Sequence, residues 1–366
     1  MKAISLVPGT TNVSLEEVPE PQITAPDEIK VRIREVGICG TDREEASGGR
    51  ADAPPGERKL ILGHEMFGEV VEIGSEVTLV RKGDFGVFSV RRGCGKCSAC
   101  NSNRSDMCFT GEYTERGIKE INGFQAEYVV DREQYFVKVP ESIKDIGVLT
   151  EPMSVAAKAI DEAMIIQKAR FSSIEDTQVW LKGKRALVAG IGAIGLLGAF
   201  ALRLRGAEVY GLDIVDEDSL RPEILKQIGG KYIDGRTMET SDIDEKIGHF
   251  DFIFEATGFA ELMIELIDTL AINGIYVATG IPGGNRPITI NGSDLMRQLV
   301  LKNQVVVGSV NASPAHFALA VADLKDMKEK WPEAAGRLIT ERIPYTKFQT
   351  ALADTIDEIK VVVEWE

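Results

Sequence analysis

The hydrophobic and polar positions of the chain follow two patterns that change near residue 184. Before that point, short apolar runs such as "EIKVRIREVG" (28–37) and "FGEVVEIG" (67–74) are separated by turn residues, which is typical of a small twisted barrel of short strands. After it, apolar strand patterns alternate with helical runs. The pattern therefore predicts an α/β chain with a β-rich part and a part of alternating strands and helices.

The second part begins with a glycine-rich loop. The predicted strand "RALVAG" leads into Gly190-x-Gly192-x-x-Gly195, the helical run "AIGLLGAFALRLRG" follows, and the next strand, "EVYGLD", ends in Asp213. A lone G-x-G-x-x-G is weak evidence, but this order of strand, loop, helix and acid is the dinucleotide fingerprint, with the helix N-terminus facing the phosphates. We therefore expect a bound dinucleotide.

Further strand patterns at "HFDFIFEATG", "NGIYVATGIPGG" and "QVVVGSVN" complete a predicted six-strand doubly wound domain over about 184–308. Ligands of such sheets lie beyond the carboxyl ends of the strands. Besides the three loop glycines and Asp213, the predicted cofactor contacts are Ala193, Ile194, Thr257, Gly258, Thr279, Gly280, Ile281, Ser309, Val310 and Asn311.

Length and charge narrow the class of protein. The chain has 366 residues, which favours two domains. Its net charge of −15 argues against nucleic acid or an anionic membrane as a partner. The stretch "MKAISLVPGTT" lacks the apolar run of a signal peptide, and no apolar stretch is long enough to span a bilayer. We therefore expect a cytoplasmic protein whose thiols stay reduced.

Four of the five cysteines lie in "GCGKCSACNSNRSDMC" (93–108), namely Cys94, Cys97, Cys100 and Cys108. In a reducing compartment the open readings are a structural zinc held by four thiolates or an iron–sulfur cluster. The final gap and Phe109 after the last cysteine depart from the ferredoxin pattern, which favours zinc. A closed four-sulfur site leaves no open position for catalysis.

A second set of potential ligands is spread along the chain. Cys39 lies in "GICGTD", His64 and Glu65 in "LGHEMFGEV", and Glu151 in "GVLTEPMSVAAKAI". Three protein ligands plus water is the pattern of a catalytic zinc. The alternative is a buried thiol and a core histidine, and spacing alone does not decide between them.

Several motifs taken together resemble the zinc-containing medium-chain dehydrogenase/reductase superfamily: "GICGTD", "GHEMFGEVVEIG", "GDFGV", the four-cysteine lobe, "EPMSVA" and "GIGAIG". The stretches "RRGCGKC", "TGEYTERGI", "GFQAEY" and "VGSVNASPAHF" are similar, more narrowly, to its archaeal-type glucose dehydrogenases. The resemblance covers the whole chain. It implies a GroES-like β-barrel catalytic domain (1–183 and 309–366, with the zinc lobe 93–108) plus a Rossmann doubly wound parallel-sheet nucleotide-binding domain (184–308).

The resemblance also implies roles for individual residues. Cys39 and His64 would be zinc ligands, and Asp42 would hold the far ring nitrogen of His64. Glu65 and Glu151 would be exchangeable ligands, and which of them binds at rest stays open. Thr41 would hand the hydroxyl proton of the substrate toward solvent. Each chain would thus carry two Zn²⁺ ions, one catalytic and one structural.

The implied reaction is hydride transfer from a sugar hydroxyl to NAD(P), with D-glucose oxidised at C1 to the lactone. Thr41, Glu115, Glu151 and Asn311 match positions that this family uses to bind the sugar. Asp213 favours NAD over NADP, although several glucose dehydrogenases of this kind use both. The resemblance further suggests a homodimer or homotetramer. The alternatives are a dehydrogenase of another sugar, a polyol or a secondary alcohol, or a non-catalytic zinc- and nucleotide-binding regulator.

Overall fold

The computed structural model describes residues 1–174, 177–285, 287–353 and 358–365. The chain divides into two units. Unit 1 comprises Met1–Ser154, Asn311–Lys328 and Gly336–Glu366, and unit 2 comprises Val155–Val310 and Glu329–Ala335. Within the described ranges, no helix combines the length and the apolar character that crossing a membrane requires.

The strands in chain order are β1 Lys2–Leu6, β2 Val13–Glu17, β3 Glu28–Ile38, β4 Leu60–Ile61, β5 Glu65–Ile73, β6 Phe85–Phe88, β7 Arg91–Arg92, β8 Thr114–Arg116, β9 Glu120–Ile121, β10 Tyr128–Arg132, β11 Phe136–Lys138, β12 Arg185–Ala189, β13 Glu208–Asp213, β14 Lys231–Asp234, β15 Phe250–Glu255, β16 Leu270–Ala278, β17 Val305–Gly308, β18 Ile339–Pro344 and β19 Lys360–Glu364.

The α-helices are α1 Gly40–Ala46, α2 Ser98–Asn101, α3 Thr150–Arg170, α4 Thr177–Trp180, α5 Ala193–Leu204, α6 Leu220–Gln227, α7 Thr240–Lys246, α8 Ala260–Glu265, α9 Gly292–Leu301, α10 Pro314–Lys330, α11 Pro332–Gly336 and α12 Phe348–Leu352. Short 3₁₀ helices cover Ser105–Met107, Glu133–Tyr135, Glu141–Leu149, Leu266–Thr269 and Tyr345–Lys347.

Unit 1 is built on a mainly antiparallel sheet in the order β11-β6-β5-β3-β19-β18, with β10 also paired to β3. The long strand β3 lies at its centre and buries Val31 and Ile33 completely. Strand β19 pairs antiparallel with β3 and parallel with β18. The segment "KVVVE" (360–364) thus adds a strand to the main sheet of unit 1. Two smaller sheets have the strand orders β2-β1-β4 and β7-β8-β9.

Unit 2 contains a parallel sheet whose strand order, within the described residues, is β14-β13-β12-β15-β16-β17. This is the order of a dinucleotide-binding domain, with the chain reversing direction across the sheet beside β12. The central strands β12 and β15 are almost entirely buried, as expected for a parallel sheet that is covered on both faces. The predicted doubly wound domain is confirmed.

Unit 2 extends beyond the predicted range 184–308. Most of α3, from Val155 onward, belongs to it. Gln167 Nε2 and Arg170 Nη1 of this helix donate to the carbonyl of Asn273 at 2.9 and 3.3 Å. The segment 329–335 belongs to it as well, and Trp331 packs edge-on against Phe200 with 5.8 Å between ring centroids. The domain ranges 1–183, 184–308 and 309–366 stay a prediction.

Candidate active site

The capped start of helix α1 positions the candidate catalytic cysteine. Cys39 is the N-cap residue: its Sγ accepts a hydrogen bond from the backbone N–H of Thr41 at 3.2 Å, and its own N–H donates to Asp42 Oδ2 at 2.8 Å. This reciprocal arrangement is a capping box, which fixes the chain where strand becomes helix. The local sequence "CGTD" therefore holds the thiol in one orientation.

Strand pairing brings His64 and Glu65 to the same place. Glu65 opens β5 and lies opposite Gly37 near the end of β3, two residues before Cys39. The Sγ of Cys39 lies 3.1 Å from Nε2 of His64. One ligand atom each from Cys39, His64 and Glu65 lie within 4.8 Å of one another, and the histidine and glutamate are buried. A thiol, an imidazole and a carboxylate converging in this way suit zinc.

Asp42 lies beside the other ring nitrogen of the histidine. Its Oδ1 is 3.7 Å from Nδ1 of His64, which is longer than a hydrogen bond, and neither buried atom has a hydrogen-bond partner among the described residues. Burial disfavours the imidazolium, but the negative charges of Cys39 and Asp42 outweigh it and raise the pKa of His64 well above its ordinary value. The expected orienting role of Asp42 stays a prediction.

Two further buried acids lie near this group. Burial, and secondarily Asp42, raise the pKa of Glu45 on α1 to about 9, which favours its protonated form. Glu151, in the first turn of α3, is buried, and burial together with the charge of Glu65 raises its pKa to about 7. Glu151 lies outside the group within 4.8 Å, and its role as a ligand stays a prediction.

The four lobe cysteines converge as the spacing predicts. One Sγ from each lies within 4.8 Å of the others, and the sulfurs of Cys94 and Cys100 are 3.9 Å apart. Backbone N–H groups of Cys94 and Cys100 point at the sulfurs of Cys108 and Cys97, each at 3.5 Å. Hydrogen bonds from the Thr110 hydroxyl and from backbone amides lower the pKa of Cys94 to about 6. Burial raises the pKa of Cys100 to about 12, so the four thiols differ in their tendency to ionise. Their convergence suits one tetrahedral ion.

The candidate sugar residues Glu115 and Asn311 lie together in unit 1. The amide Nδ2 of Asn311 donates to Oε1 of Glu115 at 2.5 Å, across 196 positions of sequence. Asn311 has φ = 63°, a left-handed conformation that asparagine tolerates better than most residues. The two residues therefore form one polar group.

The glycine loop of unit 2 has the geometry that a dinucleotide requires. Gly190 has φ = 81° and allows the tight turn. A Cβ at Gly195 would come within 1.7 Å of the carbonyl oxygen of Gly190, so a larger residue would push α5 off the loop. A Cβ at Gly192 would meet nothing within 4 Å. The backbone of Gly192 and the N-terminus of α5, which begins at Ala193 and Ile194, therefore face open space where a pyrophosphate could bind.

Asp213 ends β13 with its carboxylate turned toward that loop. Its Oδ2 accepts from the N–H of Ile191 at 2.8 Å, and its Oδ1 from that of Ile214 at 2.7 Å. Ile214, which follows Asp213, is exposed. Arg221, the next arginine in the sequence, lies on helix α6. The predicted contacts at other strand ends follow β15, β16 and β17: Thr257, Gly258, Thr279, Gly280, Ile281, Ser309 and Val310.

Comparison with known proteins identifies the family. The model "Alcohol dehydrogenase GroES-like domain" matches residues 25–141, and "Glucose dehydrogenase C-terminus" matches 144–365. Glucose 1-dehydrogenase 2 of Vulcanisaeta moutnovskia is 40% identical over 100% of this chain and 99% of its own. Glucose 1-dehydrogenase of Methanocella arvoryzae is 36% identical over the same shares. The chain belongs to the glucose dehydrogenase family of zinc-containing medium-chain dehydrogenases/reductases.

A solved structure of this family has the same fold. Glucose dehydrogenase of Haloferax mediterranei, in complex with NADP, Zn and gluconolactone, matches with a TM-score of 0.89 and 32% identity over 100% of this chain and 99% of its own. The family membership confirms the resemblance inferred from the motifs. It also confirms the fold class, a GroES-like domain plus a Rossmann domain.

Three buried charges in this family member were missed by sequence reasoning. Lys360 donates to both carboxylate oxygens of Glu65, at 2.8 and 2.7 Å. Arg91 binds Glu115 through two nitrogens. Glu255 is fully buried and accepts from the N–H groups of Thr257 and Gly258 at 2.6 and 3.0 Å. The sequence did carry one signal of such buried charges. In "KVVVE" and "FDFIFE", charged residues stand within or at the ends of apolar strand patterns.

Proposed function

We propose that this chain is a zinc-dependent sugar dehydrogenase that transfers a hydride from C1 of D-glucose to NAD(P), giving the lactone. The observation that carries the proposal is the buried group of Cys39, His64 and Glu65 in a chain whose full-length relatives are named glucose 1-dehydrogenases. The solved structure of the relative from Haloferax mediterranei is a complex with NADP, Zn and gluconolactone, the lactone that this reaction would produce.

The chain's own residues hold and orient the reactants. Cys39 and His64, with Glu65 or Glu151, would hold the catalytic zinc, and Cys94, Cys97, Cys100 and Cys108 the structural one. When bound, the catalytic zinc supplies a Lewis acid for the sugar hydroxyl and NAD(P) supplies the hydride acceptor.

Side chains of the protein would accept the proton of the sugar hydroxyl, balance the charge of Glu65 and orient His64. The hydroxyl Oγ1 of Thr41 would take up the proton of the sugar hydroxyl and pass it toward solvent. Lys360 compensates the charge of Glu65 within the site. Asp42 would keep the ring of His64 in one orientation from beside Nδ1.

Glu115, Glu151 and Asn311 would recognise the sugar. A site built to pair with hydroxyl groups rejects an analogue that lacks them, because its buried polar groups are then left without partners. The hydrogen-bonded pair of Glu115 and Asn311 offers both an acceptor and an amide to a ring hydroxyl. This supports a polyhydroxylated substrate.

NAD is the proposed preferred cofactor. A carboxylate at Asp213 would accept hydrogen bonds from both ribose hydroxyls of NAD, whereas a 2′-phosphate would meet its negative charge. The positions that follow, Ile214 and Val215, supply no cation for that phosphate. The enzyme would use NADP less efficiently. We further propose that it assembles as a homodimer or homotetramer.

A substrate screen tests the function. Zinc-loaded protein is assayed for reduced nicotinamide with glucose, galactose, xylose, sorbitol and simple alcohols. Glucose should have the highest kcat/KM. If another sugar, a polyol or a secondary alcohol is preferred, that compound replaces glucose as the proposed substrate. If none of the compounds is turned over, the proposed enzyme class is wrong.

A further inference from the structure

The guanidinium of Arg91 joins the four-cysteine lobe to the candidate sugar pair. Its Nε and Nη2 donate to Oε1 of Glu115 at 3.1 and 2.9 Å. Its Nη1 donates to the backbone carbonyl of Asp106, at 2.6 Å. Asp106 lies within the lobe, two residues before Cys108. One side chain therefore contacts both the lobe and the residue that would bind the sugar.

We propose that Arg91 is a positioning residue for substrate recognition, which orients Glu115 toward the sugar and takes its own position from the four-cysteine lobe. The inference rests on the proposed sugar-binding role of Glu115 and Asn311.

The surroundings of Arg91 restrict it to one orientation. It is 8% exposed, and its guanidinium lies over the ring of Tyr113, 4.1 Å from the centroid. Strand pairing sets Arg91 of β7 directly opposite Glu115 of β8. A guanidinium that is stacked on one face and bound on two edges has few alternative rotamers, so the carboxylate it holds is fixed as well.

This contact also decides which oxygen of Glu115 is offered to a ligand. Oε1 receives Nε and Nη2 of Arg91 and Nδ2 of Asn311. Among the described residues, the hydrogen bonds to this carboxylate all end on Oε1. The second oxygen, Oε2, is thereby left to accept from a sugar hydroxyl.

Asp106 connects Arg91 to the four-cysteine lobe. Its carboxylate is held by Arg104 Nε and Nη2, at 3.0 and 2.8 Å, and its side chain is fully buried. The carbonyl that Arg91 binds is therefore set by the fold of the lobe. A lobe that has lost its metal would move this carbonyl and loosen Glu115, so the integrity of a non-catalytic site would control sugar affinity.

The test compares Arg91→Lys with Glu115→Gln and the double variant, all with zinc content measured. Lysine keeps the charge but loses the forked contact. Arg91→Lys should raise the sugar KM by about tenfold to hundredfold, the range of a charge-assisted hydrogen bond. The kcat and the KM for the nicotinamide cofactor should stay within about threefold of the wild-type values. The lost interaction stabilises the bound sugar and the transition state equally, so its loss affects only the sugar KM. The double variant should be no worse than Glu115→Gln, because Arg91 acts through Glu115.

Two further variants separate positioning from folding. Lys96→Met breaks an exposed ion pair between the lobe and Glu112 and contacts neither Arg91 nor Asp106, so it should leave the sugar KM within about twofold. Tyr113→Leu removes the ring beneath the guanidinium and keeps both polar partners. It should also raise the sugar KM, by about threefold to tenfold. If Arg91→Lys does not fold, Tyr113→Leu replaces it as the test of the proposal.

The outcomes are distinguishable. An unchanged sugar KM in Arg91→Lys, or additive effects in the double variant, would overturn the role of Arg91 while leaving the proposed function intact. If Glu115→Gln itself does not change the sugar KM, the sugar-binding role of Glu115 fails and the inference falls with it.

Discussion

The amine of Lys360 lies 2.8 and 2.7 Å from the two carboxylate oxygens of Glu65, and both side chains are almost fully buried. A third hydrogen bond, to the carbonyl of Ile38 at 3.1 Å, fixes the amine between two strands. This pair places a positive charge beside a group of thiol, imidazole and carboxylate. It links strand β19, near the end of the chain, to the candidate metal site.

Removing that amine should destabilise the protein strongly. Lys360→Met leaves the buried charge of Glu65 without its partner, and we expect the free energy of unfolding to fall by about 3–5 kcal/mol. Lys59→Met is the matched control, because Lys59 pairs with Glu16 at the surface and should cost about 1 kcal/mol or less. Urea unfolding of zinc-loaded protein gives both values. Equal losses in the two variants would contradict a special role for the buried pair.

Metal analysis should find close to two zinc ions per chain, with separable roles. His64→Ala should lose one zinc and all turnover but keep its fold, because His64 is a proposed catalytic ligand. Cys97→Ser should lose the other zinc and mainly lower stability, because four thiolates hold the lobe around its ion. Zinc content, circular dichroism and activity are measured on both. Full activity in His64→Ala would rule out the catalytic assignment.

A buried ion-pair network gives a pH-dependent contribution to stability. Burial opposes the charged form of Asp131, but Arg116 and Arg92 hold its pKa well below the usual range. A depressed folded-state pKa stabilises the protein above the unfolded pKa of about 4, and the contribution is lost as pH falls below that value.

Asp131→Asn should therefore lower the free energy of unfolding by about 3–5 kcal/mol at neutral pH, and the difference from wild type should narrow below about pH 4. Denaturant unfolding across that range measures it. Asp234→Asn, at a more exposed pair with Arg236, is the control and should have a much smaller effect. A difference that does not change with pH would mean that Asp131 is not ionised through this network.

The choice of cofactor should depend on Asp213. Repulsion of a 2′-phosphate should give wild type a roughly tenfold to hundredfold preference for NAD, at about 1.4 kcal/mol per decade. Asp213→Gly with Ile214→Arg should move the preference toward NADP. Asp216→Gly, which removes an exposed acid paired with Arg236, is the control. The measurement is kcat/KM for each cofactor at one sugar concentration, and a wild type that already prefers NADP would disprove the assigned role of Asp213.

Local spacing made much of the architecture and the four-cysteine lobe predictable, whereas the second set of zinc ligands was implied by the family resemblance. The glycine loop, the four clustered cysteines and the run of strands in unit 2 each depend on residues near one another in sequence. The buried charges do not. Lys360 and Glu65 are 295 positions apart, and Asn311 and Glu115 are 196 apart. Which distant strand a charged residue faces is decided by sheet register, and a single sequence carries little information on that.

Two side-chain contacts also show what the sequence alone does not predict. The resemblance implied that the carboxylate of Asp42 holds the far ring nitrogen of His64. In the structure Oδ1 lies 3.7 Å from Nδ1, and the other carboxylate oxygen accepts from the N–H of Cys39 at the start of helix α1. Arg91 stood unnoticed beside the lobe, since its partners depend on the pairing of β7 with β8. Competition between capping and site contacts is visible only in three dimensions.

Glucose deuterated at C1 tests the central claim most directly. Zinc-loaded protein is incubated with this sugar and NAD, and the reduced cofactor and the sugar product are analysed by mass spectrometry and NMR. The account predicts that the deuterium appears in the reduced nicotinamide and that the product is the lactone or its acid without the label. Reduced cofactor without deuterium, or no glucose-dependent reduction by protein carrying both zinc ions, would contradict it.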